Sequence, residues 1–179
     1  MPRPNFRSKK DYVNEVLRVD YAGEYAANII YQTQIDNTDD IDMRQKLSAM
    51  LIQEKKHLEF FQEEMGKNHT RPSILMPIWH LLSVGLGSIS AKLGNKHMML
   101  ATRAVEEVIE DHYAKQIEAL EELGPQHLKN NIITFRQDEL EHMHEAENIL
   151  QNKASFLDNV FLKCIKAGCL VAIAICKKI

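Results

Sequence analysis

One acidic pattern occurs twice in this sequence and constrains its fold more than any other feature. The pattern is a single Glu followed about 30 residues later by Glu-x-x-His, and its copies are Glu24 with Glu54-x-x-His57 and Glu106 with Glu139-x-x-His142. Residues three positions apart lie on one face of an α-helix, so this carboxylate and imidazole can reach one metal ion. Each half of the chain is therefore predicted to hold a helix with one Glu and a helix with Glu-x-x-His.

The spacing of apolar residues supports helices throughout. Three- and four-residue steps predict four helices of roughly 25 residues, over about 11–36, 40–65, 96–123 and 125–152. Asn37-Thr38-Asp39-Asp40 supplies an N-cap for the second helix, Gly66 is predicted to end it, and Gly124-Pro125 separates the last two. We expect an all-α four-helix bundle in a single domain spanning residues 1–179.

The chemistry of the six repeated side chains favours iron or manganese. Four carboxylates gathered inside a bundle repel one another and cannot all ionise unless cations neutralise them. Two divalent ions supply that charge, and oxygen-rich ligation with two imidazoles suits iron or manganese better than structural zinc. The predicted metal ligands are Glu24, Glu54, His57, Glu106, Glu139 and His142. A further pair, Glu141 with His144, points around the helix and is predicted to lie on the surface.

Three residues near the ligands have open roles. Metal-bound imidazoles usually donate their other N–H to a carboxylate, and Asp20 or Asp111 could accept it; each could equally be solvated. Tyr113 lies two turns after Glu106 on the same helix face, so it either approaches the metals or fills the core.

A connection over residues 72–93 carries no charge from Pro72 to Ala91. Pro77 interrupts it, and the remaining 78–91 is short for a membrane span of about 20 residues. Its apolar side chains form one stripe, so we predict an amphipathic helix that lies on a membrane or over an apolar channel. A helix simply packed on the bundle is the alternative.

The two ends of the chain are basic. Residues 1–10 form a basic N-terminal arm, and residues 156–179 are predicted to form a C-terminal helix with the apolar run Ala167–Cys176. Ten apolar residues are too few to span a bilayer, so this helix is expected to pack on the bundle or enter the headgroup zone. The basic ends are either solvated or attracted to a membrane surface. The net charge of -3 argues against a nucleic-acid partner.

Several longer stretches of this sequence resemble the demethoxyubiquinone hydroxylases of ubiquinone biosynthesis, a ferritin-like family. The resemblance extends from about Val16 to Ile175, and its blocks are Arg18-Val-Asp-Tyr-Ala-Gly-Glu24-Tyr, Glu54-Lys-Lys-His57-Leu, Arg71-Pro-Ser-Ile-Leu-Met-Pro-Ile-Trp79, Ala104-Val-Glu106-Glu-Val, His112-Tyr113, Phe135-Arg-Gln-Asp-Glu139-Leu-Glu-His142 and Ala167-Gly-Cys169. In that family the six metal ligands fall on the same six positions.

The resemblance implies a di-iron monooxygenase that uses O2 to hydroxylate the ring of a polyprenylated demethoxyubiquinol. It also implies a peripheral protein of the inner membrane, on the cytoplasmic side in bacteria or the matrix side in mitochondria. The absence of a leader favours a bacterial source. The segments 74–90 and 156–176 would then shape a path for the quinone. A homo-oligomer and a lipid-binding helper protein are open partners.

His112 and Tyr113 match a His-Tyr pair linked in the family to electron delivery, from NADH or from the quinol itself. They are the predicted catalytic residues. Two positions depart from the family: Tyr21 stands where His is common, and Leu170 stands where many members carry Arg. The second departure leaves direct contact between NADH and this position in doubt.

Other readings fit fewer features. A ferritin-type iron store requires neither a second Glu-x-x-His nor the apolar connection, and a rubrerythrin-like peroxidase often adds a Cys-x-x-Cys iron domain. The cysteines of this chain, Cys164, Cys169 and Cys176, lack that spacing. A helical scaffold without catalysis would leave the duplicated ligand pattern unexplained.

Overall fold

The computed structural model describes residues 8–150 and 155–179, and these residues form six α-helices and no strand. The helices are α1 (Lys9–Asp36), α2 (Ile41–Asn68), α3 (Met76–Lys92), α4 (Asn95–Leu123), α5 (Gln126–Leu150) and α6 (Phe156–Cys176). α1 packs chiefly on α2, and α4 packs chiefly on α5, so the four long helices form two helical hairpins. A short loop joins the helices within each hairpin, and α3 lies between the two hairpins along the chain. The predicted all-α bundle, with a connecting helix and a C-terminal helix, is confirmed.

Capping interactions set the ends of α2. The Asp40 carboxylate accepts the backbone N–H of Met43 at 2.9 Å, which confirms the N-cap predicted in this turn. The predicted end at Gly66 is wrong, because the helix continues to Asn68. His69 closes it instead, with the left-handed φ of 54° that commonly ends a helix.

The basic N-terminal arm predicted over residues 1–10 falls largely on residues 1–7, which lie outside the described part of the chain. Ser8 caps α1 by accepting the backbone N–H of Asp11 at 3.1 Å, so Lys9 and Lys10 belong to the first helical turn. The division of the chain into a single domain stays a prediction.

Two of the buried apolar clusters lie towards opposite ends of the bundle and leave its middle to polar side chains. One cluster takes residues from the start of α1, the end of α2, the end of α4 and the start of α5, and includes Leu17, Phe61, Leu120 and Ile132. The other takes the opposite part of each helix and includes Tyr31, Leu47, Met98 and Ala146. The six predicted ligands lie between these clusters on every helix, because Glu24, for example, falls between Leu17 and Tyr31 along α1.

The connecting helix α3 turns its small and polar face towards the bundle. Its buried residues are Trp79, Ser83, Gly87, Ser90 and Ala91. The approach to α1 is close at Gly87, where an added Cβ would lie 2.7 Å from Cβ of Thr33. The apolar stripe therefore faces outward, and its most exposed side chains are Ile78, Leu81, Leu82 and Ile89. α3 does pack on the bundle, as the alternative expected, but through its small and polar face; contact of the apolar stripe with a membrane stays a prediction.

The C-terminal helix α6 packs on α4 and α1, and polar contacts hold both of its ends. Near its start, Lys96 Nζ contacts the buried Asp158 carboxylate at 2.5 Å. Near its end, Arg18 donates to the backbone oxygens of Cys176 and Lys177 at 2.6 and 3.0 Å. The expectation that this segment is too short to span a membrane needs correction: α6 has 21 residues and is long and apolar enough to do so by length and composition.

Candidate metal centre

The four long helices bring all six predicted ligands together in the interior. Each of these residues is at most 2% exposed, and α1, α2, α4 and α5 each contribute at least one. Helical geometry explains the pairing, because a three-residue step keeps Glu and His of each Glu-x-x-His on one face. The third pair, Glu141 and His144, is exposed as predicted.

The ligands form two overlapping groups of four. In each group, one potential donor atom from every residue lies within 4.8 Å of the others; the groups are Glu24, Glu54, His57 and Glu139, and Glu54, Glu106, Glu139 and His142. Glu54 and Glu139 belong to both groups. The Nδ1 atom of His57 lies 3.4 Å from Glu139 Oε1, and Nδ1 of His142 lies 3.1 Å from Glu54 Oε1. Such an arrangement suits two neighbouring cations bridged by two carboxylates.

Hydrogen bonding supports the fit to cations. Among the described residues, each of the six ligands has at least one buried oxygen or nitrogen without a hydrogen-bond partner, including both oxygens of Glu54 and of Glu139. Both Nδ1 atoms, of His57 and His142, are in the same state. Buried polar atoms are nearly always paired in native proteins, so a cluster of unpaired acceptors facing one another indicates a site for positive charge.

The electrostatics lead to the same conclusion. Without bound cations, burial and the neighbouring Glu139 raise the pKa of Glu54 and of Glu106 well above the usual carboxyl range. Burial also disfavours ionisation of Glu139, but the adjacent His142 and His57 imidazoles lower its pKa to about 2. Protons must then replace part of the missing positive charge, and divalent cations would displace them.

Two tyrosines hold the terminal carboxylates across the bundle. The Tyr113 hydroxyl donates to Glu24 Oε1, and the Tyr31 hydroxyl donates to Glu106 Oε1. Tyr113 therefore contacts a predicted ligand and also belongs to an apolar cluster, which confirms its place in the core; its catalytic role stays a prediction. Tyr31 was not predicted from the sequence, although it follows Glu24 by the same two helical turns that separate Tyr113 from Glu106.

Neither aspartate suggested from the sequence contacts a ligand imidazole. Asp20 is buried and accepts from Gln116 at 2.8 Å, whereas the Asp111 side chain is 71% exposed. The partner of His57 is Asp138, whose Oδ2 lies 2.9 Å from His57 Nε2. His142 Nε2 lies 2.9 Å from Gln53 Oε1. The available signal was positional, because Gln53 and Asp138 each immediately precede the Glu of a Glu-x-x-His.

His112 lies outside the ligand cluster. It lines a cavity of about 240 Å³ together with Lys115 and Lys177, and its Nε2 accepts from Gln116 at 3.0 Å. Burial and the two lysine charges lower the pKa of His112 to about 4, so its imidazole is neutral near pH 7. Since Gln116 also bonds Asp20, His112 connects to the ligand helix α1 rather than to the ligands directly. Its catalytic role stays a prediction.

A larger, apolar cavity of about 380 Å³ lies beside the ligands, between α1, α3, α4 and α6. Gly23 and Val105, the residues before Glu24 and Glu106, line it, as do Trp79 and Leu82 of α3. Burial and the Glu106 charge raise the pKa of the lining Cys169 thiol to about 11, so that thiol is neutral. Both apolar segments predicted to shape a quinone path contribute to this cavity.

The buried carboxylates and imidazoles, arranged in two overlapping groups inside a four-helix bundle, define the class: a helical bundle with carboxylate-rich groups that could hold metal ions. Comparison with known families then identifies the group within that class. The family described as ubiquinone biosynthesis protein COQ7 matches residues 11–176, and the chain belongs to this family. The resemblance stated from the sequence is confirmed.

Individual relatives agree. The mitochondrial NADPH-dependent 3-demethoxyubiquinone 3-hydroxylase of Homo sapiens is 39% identical over 175 residues, covering 93% of this chain and 78% of the relative. The 3-demethoxyubiquinol 3-hydroxylase of Rhodospirillum rubrum is 36% identical over 183 residues, covering 98% and 82%. A Dictyostelium discoideum relative with the same name as the human protein is 40% identical over 138 residues, covering 76% of this chain and 64% of its own length.

Proposed function

We propose that this protein is a di-iron monooxygenase that hydroxylates the ring of a polyprenylated demethoxyubiquinol with O2, a late step of ubiquinone biosynthesis. The names of its relatives support the substrate and the reaction. The observation that carries the proposal is the placement of the two overlapping ligand groups beside an apolar cavity. An iron store would need the ligands but not the cavity.

The residues present fit two iron ions. Glu24 and His57 would hold one ion, Glu106 and His142 the other, and Glu54 and Glu139 would be shared. When bound, the iron pair supplies the redox chemistry that activates O2. The protein supplies a water-poor pocket and fixed ligand positions. The Tyr31 and Tyr113 hydroxyls restrain Glu106 and Glu24 through Oε1 and would leave the unpaired Oε2 of each for an ion.

The apolar cavity would bind the quinol head and the start of its prenyl chain. Its lining is almost entirely apolar, and α3 and α6 form its outer wall. Gly23 keeps the region next to Glu24 open, since an added Cβ there meets no atom within 4 Å. Exclusion of water and orientation of the ring against the ligand cluster are the expected contributions of this wall to rate.

Hydroxylation also needs two electrons and two protons. The human and Dictyostelium relatives are named as NADPH-dependent. For this chain the electron donor would be a nicotinamide cofactor, NADH or NADPH, or the quinol itself. His112 and Tyr113 would lie on the side of the site that faces the electron donor. Leu170 is 58% exposed and carries no charge for a nicotinamide phosphate, so other groups must bind it if it is the donor.

We further propose peripheral binding to the inner membrane, bacterial or mitochondrial. The outward stripe of α3 and exposed apolar residues of α6, including Phe156, Leu157, Leu170 and Val171, form an apolar surface outside the cavity. Lys177 and Lys178 follow the end of α6, where they can meet anionic headgroups. A helper protein that handles lipids, or a second copy of the chain, would use the same surface.

Turnover with labelled oxygen tests this function. Iron-loaded protein in liposomes that contain a short-chain demethoxyubiquinone receives NADH or NADPH under 18O2, and mass spectrometry follows the product. We expect a hydroxylated product with one labelled oxygen. Iron oxidation without any labelled product would instead support the ferritin- or rubrerythrin-like alternative.

A pair of glycine variants tests the cavity separately. Gly23→Leu should fill the space next to Glu24 and lower turnover at least tenfold while two ions remain bound. The matched control is Gly66→Leu on exposed α2 surface, where an added Cβ also meets no atom within 4 Å. Equal turnover in the two variants would exclude this cavity as the substrate site.

A further inference from the structure

A hydrogen-bonded chain joins the two ligand imidazoles on the side away from the candidate ions. His57 of α2 pairs with Asp138 of α5, and His142 of α5 pairs with Gln53 of α2, each at 2.9 Å. Gln53 Nε2 also donates to Asp138 Oδ1 at 3.4 Å. The two pairs therefore cross between the Glu-x-x-His helices, and the Gln53–Asp138 contact links them.

These hydrogen bonds identify Nε2 as a nitrogen that carries a proton in each imidazole. A carboxylate only accepts, so both His57 Nε2 and Gln53 Nε2 must donate to Asp138. The Gln53 amide then presents its oxygen to His142, which must also donate from Nε2. Nδ1 is then the nitrogen of each imidazole that can bind a cation, and both Nδ1 atoms face the ligand cluster.

The two imidazole partners in this hydrogen-bonded network differ in charge. His57 donates to a carboxylate, whereas His142 donates to a neutral amide. A hydrogen bond to a carboxylate is stronger and increases the electron density of the imidazole, which makes its other nitrogen a better metal donor. The Asp138 side chain is 25% exposed, so solvent only partly screens this effect. The remaining ligands are matched, one terminal Glu on each side and two shared ones.

We propose that this hydrogen-bonded network gives the two metal positions different affinities, and that Asp138 is the positioning residue that makes the His57 position bind metal more tightly. The first ion to bind would occupy the group of Glu24, Glu54, His57 and Glu139. The inference rests on the metal centre of the proposed function and does not depend on the reaction. It assigns Gln53 and Asp138 a role that neither the family match nor the names of the relatives specify.

Stepwise binding of Co²⁺ to the metal-free protein, followed by calorimetry and by visible absorption under argon, tests this assignment. The wild-type chain should bind two ions in separate steps with dissociation constants at least tenfold apart. Asp138→Asn should weaken the first step by about 10- to 100-fold, the usual range for loss of such a partner, and bring the steps together. Gln53→Glu should instead tighten the second step towards the first.

The matched control is Asp111→Asn, which removes the same charge from an exposed position on α4. It should leave both steps unchanged, and circular dichroism should show equal helix content in all variants. If Asp138→Asn and Asp111→Asn both bind two ions with coinciding isotherms, the proposed difference between the two metal positions is overturned, but the metal centre is not. A wild-type chain that binds no Co²⁺ would overturn the metal centre and this inference together.

Discussion

The stability gained on metal binding provides a test in which one buried substitution should remove at least half of the effect. Glu54 is fully buried and belongs to both ligand groups, so Glu54→Gln keeps the side-chain volume and disturbs both metal positions. Without metal, the variant should be more stable than wild type, because burial and neighbouring carboxylates disfavour the Glu54 charge. A carboxyl that stays protonated in the folded state at pH 7 costs up to about 4 kcal/mol relative to the unfolded chain, and glutamine removes that cost.

With metal, wild type should gain more stability than the variant. At a free ion concentration 100 times its dissociation constant, each bound ion adds about 2.7 kcal/mol to the stability of the folded state. A chain of this size shifts its Tm by roughly 2–4 °C per kcal/mol, so two ions should raise the wild-type Tm by about 10–20 °C. Loss of at least one position should leave Glu54→Gln with half of that shift or less.

The assay is thermal unfolding followed by circular dichroism at 222 nm, with chelator or with excess Co²⁺ under argon. Glu141→Gln is the matched control, because Glu141 belongs to the exposed Glu-x-x-His pair. It should behave as wild type in both conditions. A Glu54→Gln shift equal to that of wild type, or an equal loss in Glu141→Gln, would refute the reasoning.

Three further predictions concern other parts of the molecule. Tyr31→Phe should weaken Co²⁺ binding by roughly tenfold or more, since Glu106 loses its hydroxyl donor; an unchanged isotherm would exclude that support. Leu81→Lys should lower binding to anionic liposomes about tenfold in a sedimentation assay, because a side chain that is 70% exposed loses its apolar contact with lipid. The control Ile52→Lys on α2 should bind liposomes as wild type does. Equal partitioning of the two variants would count against α3 as the membrane face. The folded protein keeps His112 neutral with a pKa of about 4, below its unfolded value, so the His112 contribution to stability should be full above about pH 6.5 and fall by up to about 3 kcal/mol towards pH 4. Urea unfolding of the chelated protein should show a smaller fall for His112→Gln than for wild type. Identical pH slopes in the two proteins would contradict this.

The sequence predicted the helices and the six ligands for a common reason. Both depend on spacing along one helix, which the chain determines locally. The duplicated pattern added the order in which the helices meet, since Glu24 and Glu106 require partners from the Glu-x-x-His helices. The offset between Glu106 and Tyr113 also applies to Glu24 and Tyr31, so Tyr31 could have been found by extending the repeat.

Contacts across the bundle were not predictable in the same way. Asp138 and Gln53 reach the imidazole of the opposite helix, and that depends on how α2 and α5 are rotated against each other. Spacing alone instead suggested Asp20 and Asp111, which are one turn from ligand-helix glutamates. The direction of the apolar stripe on α3 was likewise hidden, because it follows from the close approach at Gly87 to Thr33 on α1.

Iron-edge anomalous diffraction from crystals of the iron-loaded protein tests the central claim most directly. We expect two peaks about 3.5–4 Å apart, one within each ligand group, with Glu54 and Glu139 contacting both. Iron found only at surface groups such as Glu141 and His144, or a single peak outside these groups, would contradict it.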